Sequence, residues 1–127
     1  GSHTKTHREL PGLDSEALHD EIAGSREELQ EKLGVKVESF AYPRGLYDHR
    51  AKAAVRQAGY SRAVVTPRGS GHQADRFTIE RVGVYGHTGP TEFTLKVLGI
   101  YSQIKRTSVG ARVSAARDAR RTNAERR

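Results

Sequence analysis

The chain has 127 residues and a mass of 14.0 kDa, the size of one domain, and an apolar content of 35% that is low for a globular body. It contains no cysteine, which excludes disulfides, thiolate zinc sites and cysteine nucleophiles, and it carries no apolar run near the roughly 18 residues of a membrane span. Of the net charge of +7, residues 105–127 hold eight basic and two acidic side chains, so the excess describes a tail rather than a folded surface.

Taken in chain order, the first element is a helix capped by Asp14 or Ser15, with Leu18, Ile22, Leu29 and Leu33 as its apolar stripe. Arg26, Glu27, Glu28 and Lys32 fall on its wet side, and Gly34 stands where a C-cap glycine belongs. Residues 35–40 alternate apolar and polar as a strand does, running towards Tyr42, and Pro43 and Gly45 break the pattern. A second helix is expected from about Asp48 to Ala58, with Ala51, Ala54, Val55 and Ala58 inward and Gly59 closing it. "YSRAVVT" (60–66) reads as a short strand, 67–75 as a loop and "FTIERVGV" (77–84) as another strand. A third helix begins near Pro90 and sets Phe93, Val97, Ile100, Tyr101 and Ile104 on one face. Residues 105–127 form a basic tail, either a frayed helix or disorder.

Helices alternating with strands specify an α/β fold with mostly parallel strands. Such a sheet needs a strand ahead of the first helix, and only Gly1–His3 are available for it. The expectation is therefore a domain over 1–104 that lacks its N-terminal strands.

Two stretches carry chemistry. In "HTKTH", His3 and His7 stand at i and i+4, which would set both rings on one side of a helix. Two neutral imidazoles supply two of the three protein ligands of a catalytic zinc-type site. A Gly-Ser-His tag remnant or a pair of surface histidines would read the same, and spacing alone does not choose. In "FAYPRGLYD", a proline turn closes a strand where α/β folds place their sites. It is either a source of backbone donors for an oxyanion or an ordinary strand-to-helix turn with Asp48 as cap.

Together, "GSHTKTH", "LGVKVESFAYPRGLYD", "AGYSRAVVT" and "RFTIERVGV" resemble the polysaccharide deacetylase family with the NodB homology domain, over roughly residues 1–98. The resemblance implies a distorted (β/α) barrel and a divalent metal ion, zinc or cobalt among the options, held by His3 and His7. It implies a third ligand and a catalytic base from two aspartates of a T-F-D-D-type motif that this chain does not contain. Ala41 stands where the family has an arginine orienting the base, and Arg44 where it has a tyrosine whose backbone N–H meets the oxyanion. Tyr42 and Pro43 are then the expected substrate contacts, and Arg44 and Arg81 the expected catalytic residues. Arg81 otherwise reads as a surface partner of Glu80. No L-x-H motif supplies an acid; His19, His49, His72 and His87 read as surface residues. The implied reaction is metal-assisted hydrolysis of the N-acetyl group of an amino-sugar glycan, in a secreted or envelope protein. The alternatives are a catalytically inactive fragment of such an enzyme and a polyanion-binding module. The tail offers the latter eight cations but no aromatic stacking platform, so nucleic acid is not the expected partner.

Overall fold

The computed structural model describes residues 1–66 and 75–100, which divide into two compact units: 1–66 with 75–81, and 82–100. The expected tail, Tyr101, Ile104 and His72 lie outside the described residues.

In the first unit the opening helix spans the expected length but is not uniform. It comprises α1 (Ser15–His19), a π-helical turn (Asp20–Gly24) and α2 (Ser25–Leu33), and Asp14 caps it by accepting the Ala17 N–H at 2.8 Å. The wide turn inserts extra arc, so the apolar stripe does not continue in phase. Leu18 and Ile22 are buried and Leu29 packs at the core's edge, but Leu33 is 61% exposed. The Ile22 carbonyl within this turn accepts the Ser25 hydroxyl at 2.9 Å and the Tyr60 hydroxyl at 3.0 Å. Gly34 ends α2 in the left-handed conformation (φ 64°), as its place in the sequence implies.

Arg26, expected on the wet side, instead ties three elements together. Its Nε donates to the Val37 carbonyl and its Nη1 to the Ala58 carbonyl, both at 2.8 Å, while the guanidinium lies over the Tyr60 ring. The hydration lost by a half-buried cation is replaced by two carbonyls and an aromatic face.

β1 (Ser39–Ala41), β2 (Arg62–Val65) and β3 (Ile79–Glu80) form a parallel sheet in that order, with Phe40 opposite Ala63 and Val64 opposite Ile79. α3 (His49–Gln57) crosses between β1 and β2, capped by Asp48, whose Oδ1 accepts the Ala51 N–H at 2.8 Å. Ala51 and Val55 are buried against the sheet, as their spacing predicts. Phe40, Tyr42 and Tyr60 form the aromatic centre of the core, with Leu10, Ile22, Ala63, Val65 and Phe77 around it. The expected strand over 77–84 shrinks to two residues. Asp75 accepts the Phe77 N–H and the Thr78 hydroxyl, a turn that occupies the residues where pairing would begin. On the outer side of β1, Ser2 pairs in parallel with Phe40: its N–H reaches the Ser39 carbonyl at 2.8 Å and its carbonyl accepts the Ala41 N–H at 2.9 Å.

In the second unit α4 (Pro90–Val97) begins at its proline as expected, and the apolar face is exposed: Phe93 by 47% and Val97 by 67%, with Ile100 also exposed. Lys96 is the buried residue at 7% exposure, donating to the Gly83 carbonyl at 2.8 Å and pairing with Glu92 at 2.8 Å. No helix among the described residues is long and apolar enough to cross a membrane.

Candidate functional site

Parallel strands bring their carboxyl ends to one edge of the sheet, and the loops that leave that edge form the site of an α/β fold. Ser2 sits beside Phe40 in the sheet, so the residues that follow it, "HTKTH", emerge at this edge next to the turn that follows β1. A buried node holds the start of that loop: the Ser2 hydroxyl contacts the Ser25 hydroxyl at 2.7 Å, and the Ser25 hydroxyl also donates to the Ile22 carbonyl of the π-helical turn.

The loop is not the helix that the i, i+4 spacing suggests. Thr4 (φ 68°) and His7 (φ 62°) both adopt left-handed backbone, and the tight turn between them brings the two rings to a centroid separation of 4.8 Å, edge to face. His3 Nδ1 lies 2.7 Å from the Ala41 carbonyl, the last residue of β1. A carbonyl only accepts, so Nδ1 carries the proton and the lone pair of neutral His3 resides on Nε2. That is the arrangement in which a backbone carbonyl fixes a histidine as a metal ligand. The chemistry of this donor set fits a divalent ion at two positions; no group of three His, Cys, Asp or Glu side chains assembles among the described residues.

One residue was invisible to sequence reasoning. Glu21, within the π-helical turn, is only 3% exposed, and its Oε2 accepts the Lys5 N–H at 2.9 Å and the Thr6 N–H at 3.0 Å. Its Oε1 accepts the Thr6 hydroxyl. Asp20 beside it pairs with the Lys5 ammonium at 2.6 Å. A pattern of apolar positions could not reveal this, because Glu21 reads as one more polar residue next to Ile22.

The turn after β1 is a single 3₁₀ turn, Pro43–Gly45, in which Arg44 (φ 52°) and Gly45 (φ 68°) are both left-handed. Tyr42 and Pro43, the expected substrate contacts, are buried: Tyr42 is 0% exposed between Phe40 and Tyr47, and burial raises its phenol pKa well above the ordinary value. Its hydroxyl has no hydrogen-bond partner among the described residues. What this turn offers a ligand in solvent is therefore its backbone and Arg44, not those two side chains. Arg44 is exposed, its Nε 3.3 Å from Glu9, two residues past His7. Arg81 is exposed one residue beyond β3, with its N–H on the Val65 carbonyl at 2.8 Å. The structure thus pairs His3 with His7, ties His3 to Ala41 at the end of β1 and the loop to Arg44 through Glu9, and sets Arg81 just past the end of β3. His19 and His49 are exposed on their helices, and His87 stacks on Tyr85 in the second unit.

Residues 1–63 match the family model described as polysaccharide deacetylase. A polysaccharide deacetylase from Bacillus cereus, BC0361, superposes with a TM-score of 0.64 at 27% identity over 76% of this chain and 31% of that one. The Streptococcus pyogenes deacetylase PplD in complex with acetate shares the fold, with a TM-score of 0.63 at 20% identity over 74% of this chain and 42% of that one. The chain thus spans between about a third and two-fifths of the length of these structures. No curated protein sequence matches it. The family match and the shared fold coincide: residues 1–63 match the polysaccharide deacetylase family model, and the chain has the fold of solved polysaccharide deacetylases.

Proposed function

We propose that the chain carries the paired-histidine portion of a metal-dependent polysaccharide N-deacetylase site, acting on the acetamido group of an amino-sugar glycan. The observation that carries this reading is the His3 Nδ1–Ala41 carbonyl contact of 2.7 Å with the His7 ring beside it, at the carboxyl edge of the sheet. His3 and His7 hold the ion; the contact to Ala41 keeps the His3 Nε2 lone pair available. A bound divalent ion supplies Lewis acidity at the amide carbonyl and lowers the pKa of water. The backbone N–H of Arg44 is the donor assigned to developing oxyanion charge, and the exposed Arg44 and Arg81 side chains are assigned to the glycan. Tyr42 and Pro43 shape the turn from within the core. The products are acetate and a free amine, in keeping with the acetate bound in the S. pyogenes deacetylase. The third ligand and the base belong, by family resemblance, to aspartates outside this sequence.

Cobalt(II) titration of the 127-residue chain, followed by calorimetry, tests the ligand assignment. His3→Ala and His7→Ala should each weaken binding at least about tenfold, as expected for loss of one of few ligands. Unchanged affinity in both variants would sink it.

A further inference from the structure

The His3–His7 loop holds two non-glycine residues in left-handed backbone, and for Thr4, a β-branched residue, that conformation is disfavoured. Backbone of this kind persists only where its surroundings hold it in place. Part of the restraint is internal: the Thr4 hydroxyl accepts the His7 N–H at 3.1 Å and donates to the His3 carbonyl at 2.5 Å. The rest comes from Glu21. Two consecutive amides, Lys5 and Thr6, converge on one of its carboxylate oxygens, and the Thr6 hydroxyl takes the other. This is an anion-binding nest filled by the protein's own carboxylate. Glu21 can fill it because it projects from the π-helical turn Asp20–Gly24, the one wide turn in an otherwise α-helical run, and such turns recur where helices serve a site. Asp20, on the same turn, closes the outside of the loop through Lys5.

We propose that Glu21 is a positioning residue for the imidazole pair: its carboxylate locks residues 4–6 in the turn that brings the His3 and His7 rings together for a shared divalent cation. Glu21 touches neither imidazole in this arrangement and acts through the loop backbone. The proposal rests on the reading of His3 and His7 as metal ligands.

The test is cobalt(II) titration of the full chain carrying Glu21→Leu or Glu21→Gln, beside His3→Ala and the core variant Ile22→Val. Glu21→Leu, nearly isosteric but without acceptors, should weaken cobalt binding by about 10- to 100-fold, the range typical for loss of groups that orient ligands. Glu21→Gln should restore affinity close to that of the unsubstituted chain, because its carbonyl accepts both amides and its NH₂ donates to the Thr6 hydroxyl. Ile22→Val, which loosens the neighbouring core without touching the loop, should leave cobalt affinity unchanged and so separates positioning from lost stability. Amide exchange in the unsubstituted chain should show Lys5 and Thr6 protected. If His3→Ala weakens binding but Glu21→Leu does not, Glu21 has no positioning role while the ligand assignment stands. If neither His3→Ala nor Glu21→Leu changes binding, the ligand assignment fails and this proposal with it. Should Glu21→Leu not fold, Glu21→Gln and exchange decide: loss of affinity in the glutamine variant, or unprotected Lys5 and Thr6 amides, overturns the proposal.

Discussion

A carboxylate as buried as Glu21 keeps its charge only if hydrogen bonds replace the water it has lost. Burial pushes its pKa up, but the Thr6 hydroxyl and the Thr6 and Lys5 amides outweigh that push, helped by the Arg8 charge, and the net shift is downward. The Lys5 ammonium and the Asp20 carboxylate beside it are paired with each other, with the Glu28 charge also acting on Lys5. A carboxyl with a lowered folded pKa stabilises the fold fully above the ordinary glutamate range of about 4.3, and that contribution is lost as pH falls through the folded value. Glu21→Gln should therefore melt below the unsubstituted chain at pH 7, and the gap in Tm should close on acidification below about pH 4. A gap that stays constant from pH 7 to pH 3, followed by calorimetric melting, would contradict this. At this scale the histidines were legible, because their residue type and spacing name a chemistry. Glu21 was not, because nothing in Asp20–Gly24 marks a π-helical turn and an unbroken α-helical phase hides its direction.

Element boundaries show the same division between what local pattern carries and what tertiary context decides. The N-caps at Asp14 and Asp48, the glycine end of α2 and the inward face of α3 follow from residue type and spacing alone. The strand expected over 77–84 did not form at that length, since the Asp75–Thr78 turn competes locally with the ladder. The stripe Phe93–Val97–Ile100 has helical spacing, yet Lys96 is the residue α4 buries, because its ammonium reaches the Gly83 carbonyl and Glu92. Gly34 and Gly45 separate two reasons for a glycine. Both have positive φ, but a Cβ at Gly34 meets open space, whereas one at Gly45 would lie 2.9 Å from the Thr66 backbone nitrogen and closer still to the Thr66 hydroxyl. Gly34→Ala should cost about 1 kcal/mol, the conformational term alone. Gly45→Ala should cost more, about 2–4 kcal/mol, because β2 must shift as well. Urea denaturation of both variants checks this; equal costs would show that the 43–45 turn yields without disturbing Thr66.

For the whole molecule, the alternation of helices and strands made a parallel α/β sheet legible, and the parallel sheet in turn brings Ser2, β1, β2 and β3 to a common carboxyl edge. What the chain can do there depends on the number of groups it supplies. A catalytic zinc-type site uses three protein ligands, and hydrolysis needs a base besides. Among the described residues two imidazoles converge and no third ligating side chain joins them. Glu21, the carboxylate that holds the loop, has its oxygens engaged by Lys5 and Thr6 and is not free to take a proton from water. The 127-residue chain by itself should accordingly bind cobalt weakly, with a Kd no tighter than about 10 μM, and release no acetate from chitooligosaccharides. Cobalt-dependent acetate release, measured by an enzyme-coupled assay and abolished by His3→Ala, would overturn that expectation. It would mean that a base is supplied from within these 127 residues, and the search for it would begin at the exposed edge shared by Arg44 and Arg81.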